Sequence, residues 1–495
     1  MIRFLFLLHR YLGIAVGALM AMWCLTGVVM MYVSYPSLAE NDRLHALPAI
    51  EWSGCCKISE QALDGRASVG DFRLEMLGGK PVLDIGTHQA NRLVDLTTGL
   101  AVGRLSPEQA AAVARAASLT PGHRDGQADE TRAAVPRLLH VVDYDQWTVS
   151  GGFNADRPLY RFALGDASGT QVYISSATGR AVQETTARQR FWNWVGAVPH
   201  WLYFTELRHR ASLWTQVIIV ASLVGCFLVV TGLYIGLRQF VQRPAGRFSP
   251  YERFNLWHHV AGLVFGVFTL TWILSGLLSM NPWGWLEGAG TGRESALLRG
   301  TPSVSGAVIR TALDAMAATR PSGAVSINMA PFNGHLYFVA SAADGTRQRL
   351  SADGIPAPVS AADLAYAIGI LREKGATGHL ELLNSEDDYY FSHHRDTVTL
   401  PVYRIVSQDS SRTRYYIDAV SGELLGKIDR GARGYRWLHE GLHRMDFTAA
   451  MRGRPQWDIV MLLLMSGVTV VCATGAYLGY RRLFRQDGPR RAPRL

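Results

Sequence analysis

Two stretches of this chain are apolar enough to cross a bilayer and begin with the same motif, each copy opening on a histidine. His9-Arg10-Tyr11-Leu12-Gly13-Ile14-Ala15-Val16-Gly17 leads to Thr26-Gly27, and His258-His259-Val260-Ala261-Gly262-Leu263-Val264-Phe265-Gly266 leads to Ser275-Gly276. The offset is 249 throughout (9 to 258, 13 to 262, 17 to 266, 27 to 276), and Trp23 and Trp272 keep it. Histidine is costly in hydrocarbon, so one held there is a functional feature by default. Two of them on duplicated helices predict two ligands meeting at one metal.

Four stretches reach the roughly 20 apolar residues that a membrane helix needs. They lie near Tyr11–Tyr35, Leu213–Leu237, Leu256–Met280 and Trp457–Tyr480. Soluble helices rarely stay apolar on all faces for so long, which sets aside a buried soluble bundle. The first stretch has a basic flank in Arg3 and Arg10, but it is long and lacks a small-residue cleavage site. It reads as an uncleaved helix that also directs export. Arg238, Arg243, Arg247 and Arg253 lie between the second and third stretches; Arg481, Arg482, Arg485, Arg490, Arg491 and Arg494 follow the fourth. By the positive-inside rule these ends and both termini are cytoplasmic in a bacterial inner membrane. The net charge of +9 then reports topology, and no basic–aromatic pattern points to nucleic acid. Membrane lipid is the first partner. Two large segments, Pro36–Leu213 and Asn281–Gln456, fall on the periplasmic side. Of the five cysteines, Cys24, Cys226 and Cys472 sit in apolar helices as packing residues. Cys55 and Cys56 are adjacent and outside, either as a vicinal disulfide or as two thiols.

A second register repeats at offset 243. Pro158, Tyr160 and Arg161 match Pro401, Tyr403 and Arg404; Asp166, Ser168 and Thr170 match Asp409, Ser411 and Thr413. Trp194, His200, Phe204 and Trp214 match Trp437, His443, Phe447 and Trp457, and Thr231-Gly232-x-Tyr234-x-Gly236 matches Thr474-Gly475-x-Tyr477-x-Gly479. Each repeat therefore reads as helix, outer domain, helix, and parallel repeats imply a pseudo-two-fold axis along the membrane normal. The expected division is helix 1 over 1–35, an outer domain over 36–190, an interfacial segment with helix 2 over 191–240, and a cytoplasmic loop over 241–255. Helix 3 follows over 256–281, a second outer domain over 282–430, an interfacial segment with helix 4 over 431–482, and a basic tail over 483–495. The outer segments read as α+β. Leu159–Leu164 and Gln171–Ile174 have strand composition around an Asp166–Gly169 turn, and Ser106–Ala117 and Ala361–Lys374 are expected helices.

Val172–Val182 reads as strand, turn, strand, with Tyr415–Leu425 as its partner and a glycine supplying positive φ in each turn. That unit, with its Asp/Ser-x-x-Thr/Ser-Gly turn, resembles the PepSY module. The whole chain resembles the PepSY-associated transmembrane family of iron-regulated membrane proteins. Trp147, Arg157-Pro158-Leu159-Tyr160, Gly196-Ala197-Val198-Pro199-His200-Trp201 and Trp437–Phe447 carry the likeness. The resemblance implies a membrane helical bundle of four helices, a tandem parallel repeat, with two periplasmic PepSY-like α+β domains. Some members resemble inner-membrane reductases of ferric siderophores that hold two b-type haems on bundle histidines, and that activity is implied here by resemblance alone.

His9 and His258 sit at matching ends of helices 1 and 3. Eighteen residues separate His9 from Gly27, about 27 Å of helix, so both histidines lie near one membrane face. Neutral imidazole is a good axial ligand, and bis-histidine ligation suits electron transfer. Glycines at +4 and +8 leave room for a flat macrocycle, or else pack helices closely. His259 points about 100° away from His258 and is set aside. His200 and His443 form the second pair, each 14 residues before its matched tryptophan, Trp214 or Trp457. His439 lies one helical turn before His443 and either could be the ligand; the register favours His443. Arg10, Arg208 and Arg444 flank these ligands as propionate partners or interface markers. His209, matched by Arg452, reads as surface; His393-His394 with Asp387-Asp388 forms a polar cluster that reads as a solvated loop, the alternative being contact with an iron chelate. No GxGxxG, Walker A, CxxCH or HExxH motif occurs.

The expectation is a membrane protein with two haem b groups, on His9–His258 and on His200–His443, moving electrons to a periplasmic ferric siderophore or other iron chelate. The donor is a quinol or a cytoplasmic reductant. The alternatives are a PepSY-domain regulator of periplasmic proteases without redox activity, and an iron-chelate transporter.

Overall fold

The structure, a computed structural model, describes residues 2–63, 71–86, 91–118, 135–302, 304–371, 378–392, 397–408 and 410–484. His393, His394, Asp409, the expected helix end at Lys374 and the basic tail beyond Phe484 lie outside the described residues. The chain forms two compact units. One comprises Met1–Tyr35, Phe191–Glu287 and Gly431–Leu495; the other comprises Pro36–Arg190 and Gly288–Arg430.

The first unit is a bundle of four long apolar helices: α1 (Ile2–Met30), α2 (Ala211–Val241), α3 (Arg253–Ser279) and α4 (Gln456–Phe484). Each is long and apolar enough to span a bilayer. The first begins nine residues earlier than the sequence pattern suggests, because Ile2–Leu8 continues the apolar run without a breaker. It stops at Met30, six residues before Pro36, which cannot continue a helix. The helices close a ring in which α1 packs on α2 and α4, and α3 packs on the same two. Small residues let the backbones approach: a Cβ on Gly479 would meet Ile14 at 3.2 Å, and one on Gly225 would meet Ile273 at the same distance.

Among the described residues the second unit contains three antiparallel sheets. Sequence order suggests one α+β domain per segment, but the segments share their largest sheet. Its order is β11-β10-β9-β1-β2-β3-β4: β1 (Asp71–Leu77), β2 (Lys80–Gly86), β3 (Asn91–Asp95) and β4 (Leu100–Val102) come from the first segment, and β9 (Ala324–Met329), β10 (Tyr337–Ala342) and β11 (Arg347–Ser351) from the second. The seam pairs Arg73 with Asn328, Leu74 with Ile327 and Glu75 with Ser326. Each half alone would leave β1 or β9 as an unpaired edge and its apolar face half covered. Together they bury one core. Phe72 and Phe338, from different segments, are fully buried with ring centres 5.0 Å apart, and the helix Gly306–Thr319 lays Ile309, Leu313 and Met316 on the same face.

The other two sheets have one build. The order β5-β6-β7-β8 (Arg137–Val142, Leu159–Ala163, Gln171–Ser175, Ala181–Thr185) packs the helix Pro107–Ser118. The order β12-β13-β14-β15 (Gly378–Leu383, Val402–Ser407, Arg414–Asp418, Leu424–Ile428) packs the helix Ala361–Leu371. Both helices open on a reciprocal cap, Ser106 with Gln109 and Ser360 with Asp363. Both sheets bury a tyrosine–arginine–aspartate cluster: Tyr173 and Arg161 bond Asp145, and Tyr416 and Arg404 bond Asp387. The turn glycines Gly179 and Gly422 sit at φ +70° and +79°, where a side chain would be strained. Cys55 and Cys56 are disulfide-bonded.

Replacing Phe72 by Ala should open a cavity at the shared core and destabilise this unit by about 3–5 kcal/mol. A urea titration of the full-length protein in detergent reads this as a lowered midpoint. Leu100→Ala, at a residue that is 57% exposed, should stay within about 0.5 kcal/mol of the parent.

Candidate functional site

Inside the bundle the two predicted histidine pairs face each other. His9 of α1 and His258 of α3 have ring centres 6.3 Å apart. His200, which ends the short helix Ala197–His200 ahead of α2, and His443, in the turn Leu442–Arg444 ahead of α4, have ring centres 6.4 Å apart.

All four imidazoles are held in the same way. Nδ1 of His9 bonds the Leu228 carbonyl at 3.1 Å, and Nδ1 of His258 bonds the Val471 carbonyl at 3.2 Å. Nδ1 of His200 bonds the Trp23 carbonyl at 3.0 Å, and His443 bonds the Trp272 carbonyl and the Ser275 hydroxyl. Each of these carbonyls lies three residues before a Thr/Ser-Gly dipeptide: Thr231-Gly232, Thr474-Gly475, Thr26-Gly27 and Ser275-Gly276. The hydroxyl of each dipeptide donates back to that same carbonyl. Such back-bonding is the usual way for Ser and Thr to be satisfied inside a helix, and it fixes the carbonyl's direction. The glycine that follows leaves the helix surface bare where the ring lies. A Cβ on Gly232 would stand 2.6 Å from Cε1 of His9, and one on Gly475 would stand 3.0 Å from Cε1 of His258. The same atom on Gly27 and Gly276 would come to 3.4 Å from His200 and 3.8 Å from His443.

With Nδ1 tied to a carbonyl acceptor, the proton resides there and Nε2 keeps its lone pair. Among the described residues no hydrogen bond reaches Nε2 of any of the four. Burial holds His200 and His443 well below the ordinary histidine pKa; for His443 the neighbouring His439, His200 and Arg444 push in the same direction. Both therefore stay neutral, the form that ligates metal.

The spacing fits a metal held between two imidazoles. Two metal–nitrogen bonds of about 2 Å, with about 1 Å from each nitrogen to its ring centre, put the ring centres about 6 Å apart. Among the described residues no three His, Cys, Asp or Glu side chains group as a metal site. Each pair thus supplies two ligands only, which suits a metal whose other positions are filled by a macrocycle and not a bare ion. Space beside the first pair is uneven. A Cβ on Gly262 would meet nothing within 4 Å and one on Gly13 only Leu228 at 3.9 Å, but Gly266 is closed by Leu233 at 2.7 Å. Gly266 is thus a packing glycine.

The remaining sequence candidates have other surroundings. His439 lies on the π-helical turn Arg436–Gly441, bonds the Ser275 carbonyl at 3.1 Å and stands 5.2 Å from the His443 ring, beside the pair. His259 is buried between the Ser249 hydroxyl and the Gly236 carbonyl, both at 2.9 Å, and is fully satisfied. Arg208 lies over the rings of Tyr203 and Trp214, and Arg10 is exposed. Asp387 accepts from Tyr389, Tyr390, Tyr416 and Arg404, a structural carboxylate. Sequence reasoning did not assign the four carbonyls or the role of the Thr/Ser-Gly dipeptides. Their signal was present in the fourfold recurrence of one dipeptide, one copy per membrane helix.

The family of the PepSY-associated TM region matches residues 6–367, well over half of the chain. The chain belongs to this family, and it is a membrane protein. No curated protein sequence matches it.

His259→Ala should remove two hydrogen bonds and leave a void beside the buried Ser249, at a cost of about 1–3 kcal/mol, read as a lower thermal midpoint. The His9–His258 pair, with its own carbonyl partners, should survive that change.

Proposed function

We propose that this protein carries two b-type haems, one between His9 and His258 and one between His200 and His443, and moves electrons across a bacterial inner membrane. The observation that supports this reading is the pair of facing imidazole pairs in four equivalent carbonyl–glycine cradles. A haem with two histidine ligands supplies one-electron transfer without an open position for oxygen chemistry. The residues of the chain supply the rest. The carbonyls of Leu228, Val471, Trp23 and Trp272 orient the imidazoles and raise their basicity as ligands. The apolar bundle excludes water around both pairs, which disfavours added charge and so tunes potential. The arginine-rich α2–α3 loop marks the cytoplasmic face, which puts His9–His258 on the donor side and His200–His443 on the periplasmic side. The donor is a quinol or a cytoplasmic reductant. The acceptor is a ferric chelate such as a siderophore, whose iron loosens on reduction.

The test is a reduced-minus-oxidised absorption spectrum of detergent-purified protein with a pyridine haemochrome assay. The parent should hold two b-type haems per chain. His9→Ala or His258→Ala should remove one and leave the other, and so should His200→Ala or His443→Ala. Gly232→Leu should act like His9→Ala without touching a ligand, whereas His259→Ala should keep both haems. A colourless protein from haem-replete cells would overturn the reading and favour a PepSY regulator.

A further inference from the structure

The extramembrane unit contains a cavity that the redox reading does not use. It lies where the turn after β7 meets the helix Glu40–His45, encloses about 310 Å³, and is lined by Arg180, Arg43, Glu40, Asp156, Ser150 and Phe153 among others. That is the lower end of the range for small-molecule sites.

Its charges are unevenly matched. Arg43, 5% exposed, donates to both oxygens of Glu40 and both of Glu75 at 2.6–2.9 Å. Ser326 also bonds Glu75. These two carboxylates are therefore occupied. Arg180 gets none of them: among the described residues no hydrogen bond or ion pair reaches its guanidinium, and its Nε is buried. Burial, with Arg73 and Arg43 close by, pulls Arg180 below the ordinary arginine pKa. Glu75 and Glu40 attract Arg180 only from a distance, and a half-buried guanidinium without a direct bond is free to take a ligand's acceptor oxygens. Asp156 has one oxygen on Thr178 at 3.4 Å, and among the described residues no hydrogen bond reaches the other.

The matching place in the other repeat has lost this arrangement. Position 423, which is 243 beyond Arg180, is a glutamate. The cavity beside it holds about 30 Å³. Phe332 fills the space, 3.1 Å from where a Cβ on Gly422 would lie. The charges nearby are paired, Arg347 with Asp418 at 2.6 Å and Lys427 with Glu294 at 2.9 Å. Gly179 is packed as tightly, with Leu77 2.6 Å from where its Cβ would lie, so the two turns differ in charge and in the cavity beside them: a guanidinium without a direct bond over the larger cavity, a glutamate over the smaller.

We infer that this cavity binds a small hydroxycarboxylate, its carboxylate taken by the planar fork of Arg180 and its hydroxyl donating to Asp156. A guanidinium suits a carboxylate because two parallel N–H donors match two oxygens. The acidic wall of Glu40 and Asp156 disfavours a ligand that is anion alone and selects one that also carries a donor. The cavity is sized for one such acid or one arm of a larger molecule. The site stands without the redox reading; only its link to iron rests on that reading, where it makes the acceptor a ferric chelate with a free hydroxycarboxylate arm.

The experiment is calorimetric titration of full-length protein in detergent with L-malate and with succinate, which differ by one hydroxyl. Malate should bind at one per chain, and succinate about fivefold more weakly. Arg180→Ala should weaken malate at least about tenfold, with Arg180→Lys between, since it keeps the charge and loses the fork. Asp156→Ala should erase the preference for malate, since it removes the acceptor of the ligand hydroxyl. The thermal midpoint of Arg180→Ala should equal or exceed that of the parent, because no direct hydrogen bond or ion pair is lost and the repulsion from Arg73 and Arg43 is relieved. Undiminished malate binding by Arg180→Ala, absence of binding to the parent at millimolar malate, or a lowered midpoint of Arg180→Ala would overturn the proposal. Haem absorbance on the same samples reports the redox reading separately, so either can fail alone.

Discussion

The hydrogen bond from a histidine Nδ1 to a helix carbonyl is the constraint on which the membrane unit depends. An imidazole inside an apolar bundle needs a partner, and every helix carbonyl in mid-span already accepts from its own helix. A carbonyl has two lone pairs, so it can take a second donor if the surface in front of it is bare. A hydroxyl one turn on and a glycine directly after it produce such a surface. The chain uses this device once on each membrane helix, and it uses the same atoms each time. His9, His258, His200 and His443 are therefore positioned by helix backbone, the least mobile part of a bundle, with the dipeptide hydroxyl also within reach of Nδ1 in the last three. Among the described residues their Nε2 atoms are left without a hydrogen bond, on rings whose centres are 6.3 and 6.4 Å apart within each pair.

The ring of helices follows from the same contacts. His9 on α1 leans on α2, and His258 on α3 leans on α4. Each long helix thus both lends a cradle and sits beside a histidine, which ties four spans into one object. Apolar packing alone is a weak tie between membrane helices, because lipid is as apolar as leucine. The polar cradles and the close glycine approaches give the ring a preferred register that a smooth apolar surface lacks.

In the extramembrane unit the equivalent constraint is the seam between β1 and β9. Two short sheets with exposed edges become one sheet of seven strands, and the Glu75 carboxylate at the seam is met by Arg43 from one segment and Ser326 from the other. The seam leaves the two four-stranded modules free to diverge. Their turn glycines, helix caps and tyrosine–arginine–aspartate clusters are alike, while the surroundings of Arg180 and Glu423 are not. Divergence at one site within an otherwise shared build is where a specific ligand is to be sought.

The amino-acid order by itself determined the class of this protein: four apolar spans, two large segments between them, and histidines at fixed offsets near the span ends. These are local properties, since apolar length, turn glycines and caps act over a few residues, and the helix Pro107–Ser118 and the hairpin around Gly179 lie where their residues put them. The start of α1 was harder to place because Arg3, His9 and Arg10, which read as a flank, lie inside the helix. Only the tertiary structure decided which histidines face each other, that His443 and not His439 stands opposite His200, and that His259 is satisfied by Ser249 and Gly236. It alone showed the segments joining across β1 and β9, because strand pairing between residues 250 positions apart leaves no local mark. The unpaired state of Arg180 is of the same kind, being a property of what surrounds the residue and not of its neighbours in the chain.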